Sequence, residues 1–459
     1  MDLTRISKVH FIGIAGIGIS ALAKMMKQSG KQVSGSDVMI NETVKELEKM
    51  DIKVFQGHYF KQVPEDVDLV VYSSAVPEDN LERQRAKELG VLELSYFEFL
   101  GALSADKFCI AVAGTHGKST TAAMLGKILI DAGLDPTVIV GSKLKFFEHG
   151  NFRLGKSKYL VVEACEHEAN FLHLNPDALI ITNIEAEHLD FYKDLEDVAL
   201  AFQRLVDKLP TDGLLIYNAD DEVSKNQLRP EIETLSFALQ NDASFEARGI
   251  KIAPGSQKFE VFKNHESFSA MELEIAGAYN IYNALGAIAL ADHLRVEPEK
   301  IKNSLKQFSN LWRRMETVGK FNDALVISDY GHHPTEVMAA ISAARDFHPA
   351  KRLVWVFQPH QHARTKRFFK EFSKSFGGVD VLLVADIFDV AGREMAQDQD
   401  VGSEALAKAI KEISPNIQVQ YSGDLEKTQD KLQEILQPDD VVVIQGAGDI
   451  DQVARELVS

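Results

Sequence analysis

A lysine and a hydroxyl residue close a short glycine-bounded segment, Ala113-Gly114-Thr115-His116-Gly117-Lys118-Ser119-Thr120. Gly114 and Gly117 let backbone N–H groups converge on phosphate oxygens with no Cβ in the way. Lys118 supplies a point charge, and Ser119 offers an oxygen to Mg²⁺. Counted between its glycines the loop reads GxxGKS, two residues shorter than the common GxxxxGK[ST] form. The chemistry is nucleoside triphosphate binding, so ATP with Mg²⁺ is expected, cradled by Gly114, Thr115, His116, Gly117, Lys118, Ser119 and Thr120.

Other residues suited to chemistry follow strand-like runs. Glu163 ends Tyr159-Leu160-Val161-Val162, where a carboxylate suits Mg²⁺. The run Ala178 to Thr182 ends in Asn183-Ile184-Glu185-Ala186-Glu187-His188-Leu189-Asp190, either a solvated loop or active-site groups; the phosphate loop favours the second. Asn280 and Asn283 lie one helical turn apart, placed to read an adenine edge or to cap the helix. Further on come Arg314, then Asp329-Tyr330-Gly331-His332-His333-Pro334-Thr335-Glu336, then Gln358-Pro359-His360-Gln361-His362-Ala363-Arg364. The histidines have no HExxH or CxxC spacing to support zinc.

The elements that must position these groups recur as strand, glycine turn and helix. Phe108 to Ala113 reads as a buried parallel strand and Thr120 to Ala132 as a helix, which puts phosphate on a helix N-terminus. Val9 to Ile12, the turn Gly13-Ile14-Ala15-Gly16-Ile17-Gly18, a helix to Gly30 and a strand ending at Ser36-Asp37 make a βαβ nucleotide-binding unit. Its GxxGxG is weak evidence alone, but Asp37 stands where an acid often meets a ribose hydroxyl. Ser73 and Ser74 follow a strand over Val67 to Tyr72, facing the expected crevice. Short alternating stretches around Phe237, Phe245, Phe259 and Phe268 predict small antiparallel strands. Pro334 predicts a helix start, and Leu325 to Ser328 and Leu353 to Phe357 predict strands.

At 459 residues the chain is expected to hold about three domains. A formal charge of −18 argues against a general nucleic-acid or anionic-membrane surface, so an anionic ligand must meet local basic groups. Cys109 and Cys165, the two cysteines, sit in apolar segments, which fits a reducing compartment. No signal-like N-terminus and no long apolar run is present, and a cytoplasmic location is expected.

In chain order, Ala113 to Thr120, Glu163, Asn183 to His188, Asn280 with Asn283, Arg314 and Asp329 to Glu336 resemble the Mur ligase family over essentially the whole length. The resemblance implies an α/β protein of three domains: a Rossmann-like UDP-sugar domain (1–104), a central P-loop ATPase-type domain with a parallel sheet (105–315) and a Rossmann-like ligase domain (316–459). It implies ATP-dependent amide formation through an acyl phosphate, catalysed with Lys118, Glu163, His188, Arg314 and His332. Mg²⁺ would be held by Ser119, Glu163 and His188, and the nucleotide by the phosphate loop, Asn280, Asn283, Arg314 and Tyr330. Gly16, Gly18, Ser36, Asp37, Ser73, Ser74, His332, His360 and Arg364 would bind substrate.

Within the family, the GxxGxG opening, Asp329 to Glu336, and Phe357-Gln358-Pro359-His360 with Arg364-Thr365 are most similar to members that join L-alanine to UDP-N-acetylmuramate. Those substrates, no nucleic acid or membrane partner, and a monomer or weak homodimer are implied. Cys165, His167, Tyr279 and Gln361 depart from the family pattern. Alternatives are a ligase that attaches a preformed tripeptide to the same sugar nucleotide, or a non-catalytic binder of nucleotide sugars. A dehydrogenase would leave the phosphate loop unexplained.

Overall fold

Short apolar runs bounded by glycine and polar turns become strands of three sheets in the computed structural model, which describes residues 3–148, 150–189, 191–389 and 400–459. Asp190, the end of the polar cluster read from the sequence, lies outside the described residues. The chain divides into two units: Met1–Gly249 with Phe259–Met271 and Ile281–Gln307, and Ile250–Lys258 with Glu272–Asn280 and Phe308–Ser459.

In the first unit, β1 (Lys8–Ile12), β2 (Gln32–Asp37), β3 (Lys53–Gln56), β4 (Leu69–Tyr72) and β5 (Leu92–Ser95) form one sheet. Its order is β3-β2-β1-β4-β5 and its pairs are parallel. The order reverses beside β1, which opens a crevice at the strands' carboxyl ends. Gly13 turns there at φ 78°, and a Cβ on it would lie 2.9 Å from the Ser73 Cβ. Glycine is what lets the first turn pass under the end of β4.

The second sheet of this unit contains β6 (Phe108–Ala113), β7 (Thr137–Ile139), β8 (Phe152–Arg153), β9 (Tyr159–Glu163), β10 (Ala178–Ile181), β11 (Leu214–Asn218) and β12 (Glu233–Ala238), in the order β12-β11-β10-β6-β9-β7-β8. All pairs are parallel except β7 with β8. The central β6 and β10 are buried along nearly their whole length, as parallel strands covered on both faces must be. One apolar cluster runs from Val9 and Phe11 of the first sheet to Cys109, Leu179 and Phe202 around the second.

β13 (Phe245–Ala253) starts beside β12 and leads into β14 (Ser256–Lys263) and β15 (Glu266–Leu273). The expected antiparallel pairing around Phe237 and Phe245 is corrected here, because β12 runs parallel to both β11 and β13. The Asp220 carboxylate gathers the N–H groups of Leu239, Gln240 and Asn241, which folds the chain after β12 into a loop instead of a hairpin turn.

The second unit carries β16 (Glu316–Phe321), β17 (Ala324–Asp329), β18 (Leu353–Phe357), β19 (Val381–Ala385), β20 (Gln418–Gly423) and β21 (Val441–Gln445). They lie in the order β16-β17-β21-β18-β19-β20, parallel apart from β16. Separate apolar clusters cover its two faces, one around Trp355 and Phe357, the other around Val354 and Ile444. Pro334 opens the helix Pro334–Phe347, and His333 with Glu336 forms its capping box.

Candidate active site

The phosphate loop takes its shape from its two glycines and from β10. Gly114 has φ 137° and Gly117 φ 85°, and the helix Lys118–Asp131 begins directly after Gly117. Thr115 N–H donates to the Asn183 carbonyl at 2.9 Å, and His116 N–H donates to Asn183 Oδ1 at 2.9 Å. Asn183 Nδ2 donates back to the His116 carbonyl at 3.1 Å, and Glu185 N–H donates to Thr115 Oγ1 at 2.8 Å. Asn183 therefore scaffolds the loop. Half-buried Thr120 lies in the first turn of the helix.

Lys118 Nζ donates to the carbonyls of Gly114 and Thr115 at 2.6 and 3.0 Å and pairs with Glu166 at 2.9 Å. Burial alone would favour the neutral amine, but neighbouring carboxylates, Glu166 above all, raise the lysine pKa. Burial, the largest influence, opposes ionisation of Glu166, and the Lys118 charge together with hydrogen bonds from His188, the backbone and Lys118 outweighs it and holds that carboxyl below the usual range. Glu166 was missed in the sequence because nothing in its spacing separates it from Glu168.

Ser119 Oγ donates to Glu163 Oε2 at 2.8 Å, and the Gly141 N–H reaches the same oxygen at 2.8 Å. His188, in the left-handed region at φ 54°, lies with its Nε2 3.6 Å from Glu166 Oε1 and groups with Glu166 and Glu187. The hydroxyl of Ser119 and the carboxylate of Glu163 are hard oxygen donors at the N-terminus of the helix Lys118–Asp131, and this donor set fits Mg²⁺. Tyr96, also missed, comes close from the first sheet's side: a Cβ on Gly18 would lie 2.9 Å from its hydroxyl oxygen. Burial, with the Glu163 charge next, raises the Tyr96 pKa.

Asn283 Oδ1 accepts from Thr121 Oγ1 at 3.2 Å, beside Gly117. Asn280 Nδ2 donates to the Ala276 carbonyl at 2.6 Å. Both asparagines are buried on the helix Tyr279–His293, at the end that carries Gly277.

Around the first crevice, Asp37 accepts from the N–H groups of Ala15 at 2.9 Å and Met39 at 3.0 Å, so its carboxylate ties the glycine turn to the end of β2. Ser36 Oγ bonds inward to Glu82 and to His58 Nδ1, and its carbonyl receives the Gly13 and Ile14 N–H groups. Gly16 and Ser74 are exposed, while Gly18 and Ser73 are half-buried.

In the second unit, Tyr330 lies under two guanidinium groups, with Arg313 and Arg314 each 5.0 Å from its ring centre. Arg314 Nη1 is 3.9 Å from Glu336 Oε1. His332 Nδ1 donates to the Tyr330 carbonyl at 3.1 Å, which leaves Nε2 as the acceptor nitrogen. Burial first, then the nearby Arg364 and His360, lowers its pKa to about 3 against the pull of Glu336. His332 is thus a neutral imidazole at pH 7. Arg364 Nη1 donates to His360 Nδ1 at 3.3 Å, and the His332 and His360 rings meet edge-on at 5.6 Å. The structure brings His332, His360 and Arg364 into one cluster.

Comparison with known proteins finds three family models along the chain: "Mur ligase family, catalytic domain" over residues 8–108, "Mur ligase middle domain" over 112–291 and "Mur ligase, glutamate ligase domain" over 313–448. The chain belongs to the Mur ligase family. A relative from Sulfurihydrogenibium sp. (strain YO3AOP1), called UDP-N-acetylmuramate--L-alanine ligase, is 39% identical over 99% of this chain and 97% of its own. The crystal structure of the UDP-N-acetylmuramate-alanine ligase of Thermotoga maritima superposes with a TM-score of 0.84 at 27% identity, covering 98% of each chain. A murein peptide ligase from Psychrobacter arcticus 273-4 shares the fold, with a TM-score of 0.72 at 24% identity over 98% of each chain. The three-sheet α/β architecture is that of a Mur ligase, and the phosphate loop, Glu163 and His188 lie in the part matched by the middle-domain model.

Proposed function

We propose that this Mur ligase joins L-alanine to the carboxylate of UDP-N-acetylmuramate at the expense of ATP, in the synthesis of peptidoglycan precursors. The observation that carries the reading is the full-length match, at 39% identity, to a protein of that name, in a chain whose Lys118, Ser119 and Glu163 are assembled at a helix N-terminus.

The substrate carboxylate oxygen attacks the γ-phosphorus, and ADP leaves. The amine of alanine then attacks the acyl carbon, the C–O bond to phosphate breaks, and the ammonium proton is lost to solvent or to a nearby acceptor. Little covalent chemistry falls to the protein, which must hold repelling anions in line and neutralise developing charge. Lys118 and the loop amides take the terminal phosphates, and Arg314 adds a second positive charge. Ser119 and Glu163, with His188, would hold Mg²⁺, which when bound supplies positive charge to the phosphate oxygens.

Asn280, Asn283 and Tyr330 are assigned to the adenosine end of the nucleotide. Gly16, Gly18, Ser36, Asp37, Ser73 and Ser74 are assigned to the UDP-sugar, and Arg364 with His360 to the alanine carboxylate, for which a guanidinium is a bidentate partner. Neutral His332 offers Nε2 to the amine as a hydrogen-bond acceptor. Residues 1–104, 105–315 and 316–459 are taken as the working domains, in a monomeric or weakly dimeric cytoplasmic protein. Among the described residues no helix is long and apolar enough to cross a membrane.

Mass spectrometry of the product tests this reading. UDP-N-acetylmuramate carrying one amide-linked alanine, formed with equal amounts of ADP and phosphate, is expected. A product made only with tripeptide would replace it by the recycling activity.

A further inference from the structure

We propose that Phe388 is the wall that limits the size of the acceptor amino acid's side chain. The inference rests on the assignment of Arg364 and His360 to the acceptor carboxylate, and it names the apolar surface beside them.

Phe388 follows β19, and its half-buried ring stacks on the His360 imidazole with centroids 5.7 Å apart and planes 20° from parallel. His360 in turn accepts from Arg364 at 3.3 Å. One imidazole therefore touches both the cation suited to a carboxylate and an aromatic face suited to a small aliphatic group. An α-amino acid presents a carboxylate and an aliphatic side chain each one bond from its Cα, to match that pair.

Among the described residues, the backbone that carries the ring is held on both sides. Phe388 N–H donates to the Pro359 carbonyl at 2.9 Å, and Gln361 N–H donates to the Phe388 carbonyl at 2.7 Å, so an isolated parallel bridge fixes the backbone on both sides. Gln361 holds a left-handed φ of 65° to complete that bridge. Gly448 packs against the root of the side chain, where an added Cβ would stand 2.5 Å from Phe388 Cγ. Asp389, the next residue, is anchored by the His362 N–H at 3.0 Å and by His362 Nδ1 at 2.5 Å. A wall pinned by its backbone, by a stacked ring and by a close-packed glycine excludes a larger side chain instead of yielding to it. Close-packed apolar sites discriminate about 10–200-fold per methylene.

The test is amine-dependent phosphate release with ATP, Mg²⁺ and UDP-N-acetylmuramate, across glycine, L-alanine, L-2-aminobutyrate and L-valine. Wild type is compared with Phe388→Ala, Phe388→Leu and a core control on the same sheet, Val381→Ala. The ratio of kcat/KM for L-valine to that for L-alanine is expected to rise at least tenfold in Phe388→Ala and by less in Phe388→Leu. It should stay constant in Val381→Ala, and the KM for ATP should not change in any of them. A purely structural role would lower all acceptors together and leave the ratio unmoved, which would overturn the proposal while the ligase reading stands. Wild type that releases no phosphate with any single amino acid would overturn the ligase reading and this proposal with it.

Discussion

The Lys118 ammonium and the Glu166 carboxylate are paired at 2.9 Å, with side chains 13% and 3% exposed. The ammonium proposed for the terminal phosphates is thus held by a carboxylate of the protein itself. Breaking a buried pair costs about 3–5 kcal/mol, because the remaining charge is left without its partner. Glu166→Gln is therefore expected to lower the thermal midpoint by several degrees. ATP should then raise that midpoint by more than it raises the wild-type value, since the triphosphate supplies the missing negative charge. Lys118→Ala should lose the ATP response altogether. Calorimetry of the three proteins with and without ATP checks this, and equal ATP shifts in all three would remove Lys118 from the phosphate site.

Gly117 sits at φ 85°, and a Cβ there would run into the Asn283 amide. Gly117→Ala carries a left-handed backbone penalty of about 1–2 kcal/mol and displaces the side chain that receives the Thr121 hydroxyl. We expect the KM for ATP to rise at least tenfold while the KM for L-alanine changes little, as read from initial rates.

Ser119 Oγ and the Gly141 N–H both donate to the same oxygen of Glu163. Glutamine at position 163 can still accept both, so Glu163→Gln should unfold within a few degrees of wild type. It lacks the carboxylate charge, and the Mg²⁺ concentration giving half-maximal rate is expected to rise at least tenfold. A metal titration of both proteins decides it, and an unchanged midpoint would take Glu163 out of the metal site.

The groups that build the site differ in how legible they are in the sequence. The phosphate loop was readable because its residue types have one common use, and because β6 and its helix have the periods that loop requires. Expected strands such as Leu353–Phe357 matched the observed bounds for the same reason. The partners that complete the site were not readable. Glu166, Tyr96 and Phe388 owe their positions to tertiary packing, and no short spacing marks a carboxylate that will meet a lysine 48 residues away. The parallel course of β12 and β13 was hidden likewise, because the Asp220 carboxylate that redirects the chain belongs to the end of a different strand.

His332 supplies a pH prediction whose sign follows from its folded pKa of about 3, against an ordinary 6.5. Between those values the unfolded chain binds the proton and the folded protein does not. Stability must then fall as pH drops from 6.5 toward 3, with a slope from this residue of at most about 1.4 kcal/mol per pH unit. His332→Gln should flatten that part of the curve, as measured by denaturant unfolding across the window. An unchanged slope would mean that His332 takes up its proton in the folded protein.

The central claim is an amide-forming ligase driven by phosphate transfer at Lys118. The most direct measurement is phosphate release by the purified protein with ATP, Mg²⁺ and UDP-N-acetylmuramate, with and without L-alanine, beside Lys118→Ala. The account predicts release that requires both the sugar nucleotide and L-alanine and that vanishes in the variant. Release that ignores L-alanine, or that survives in Lys118→Ala, would contradict it.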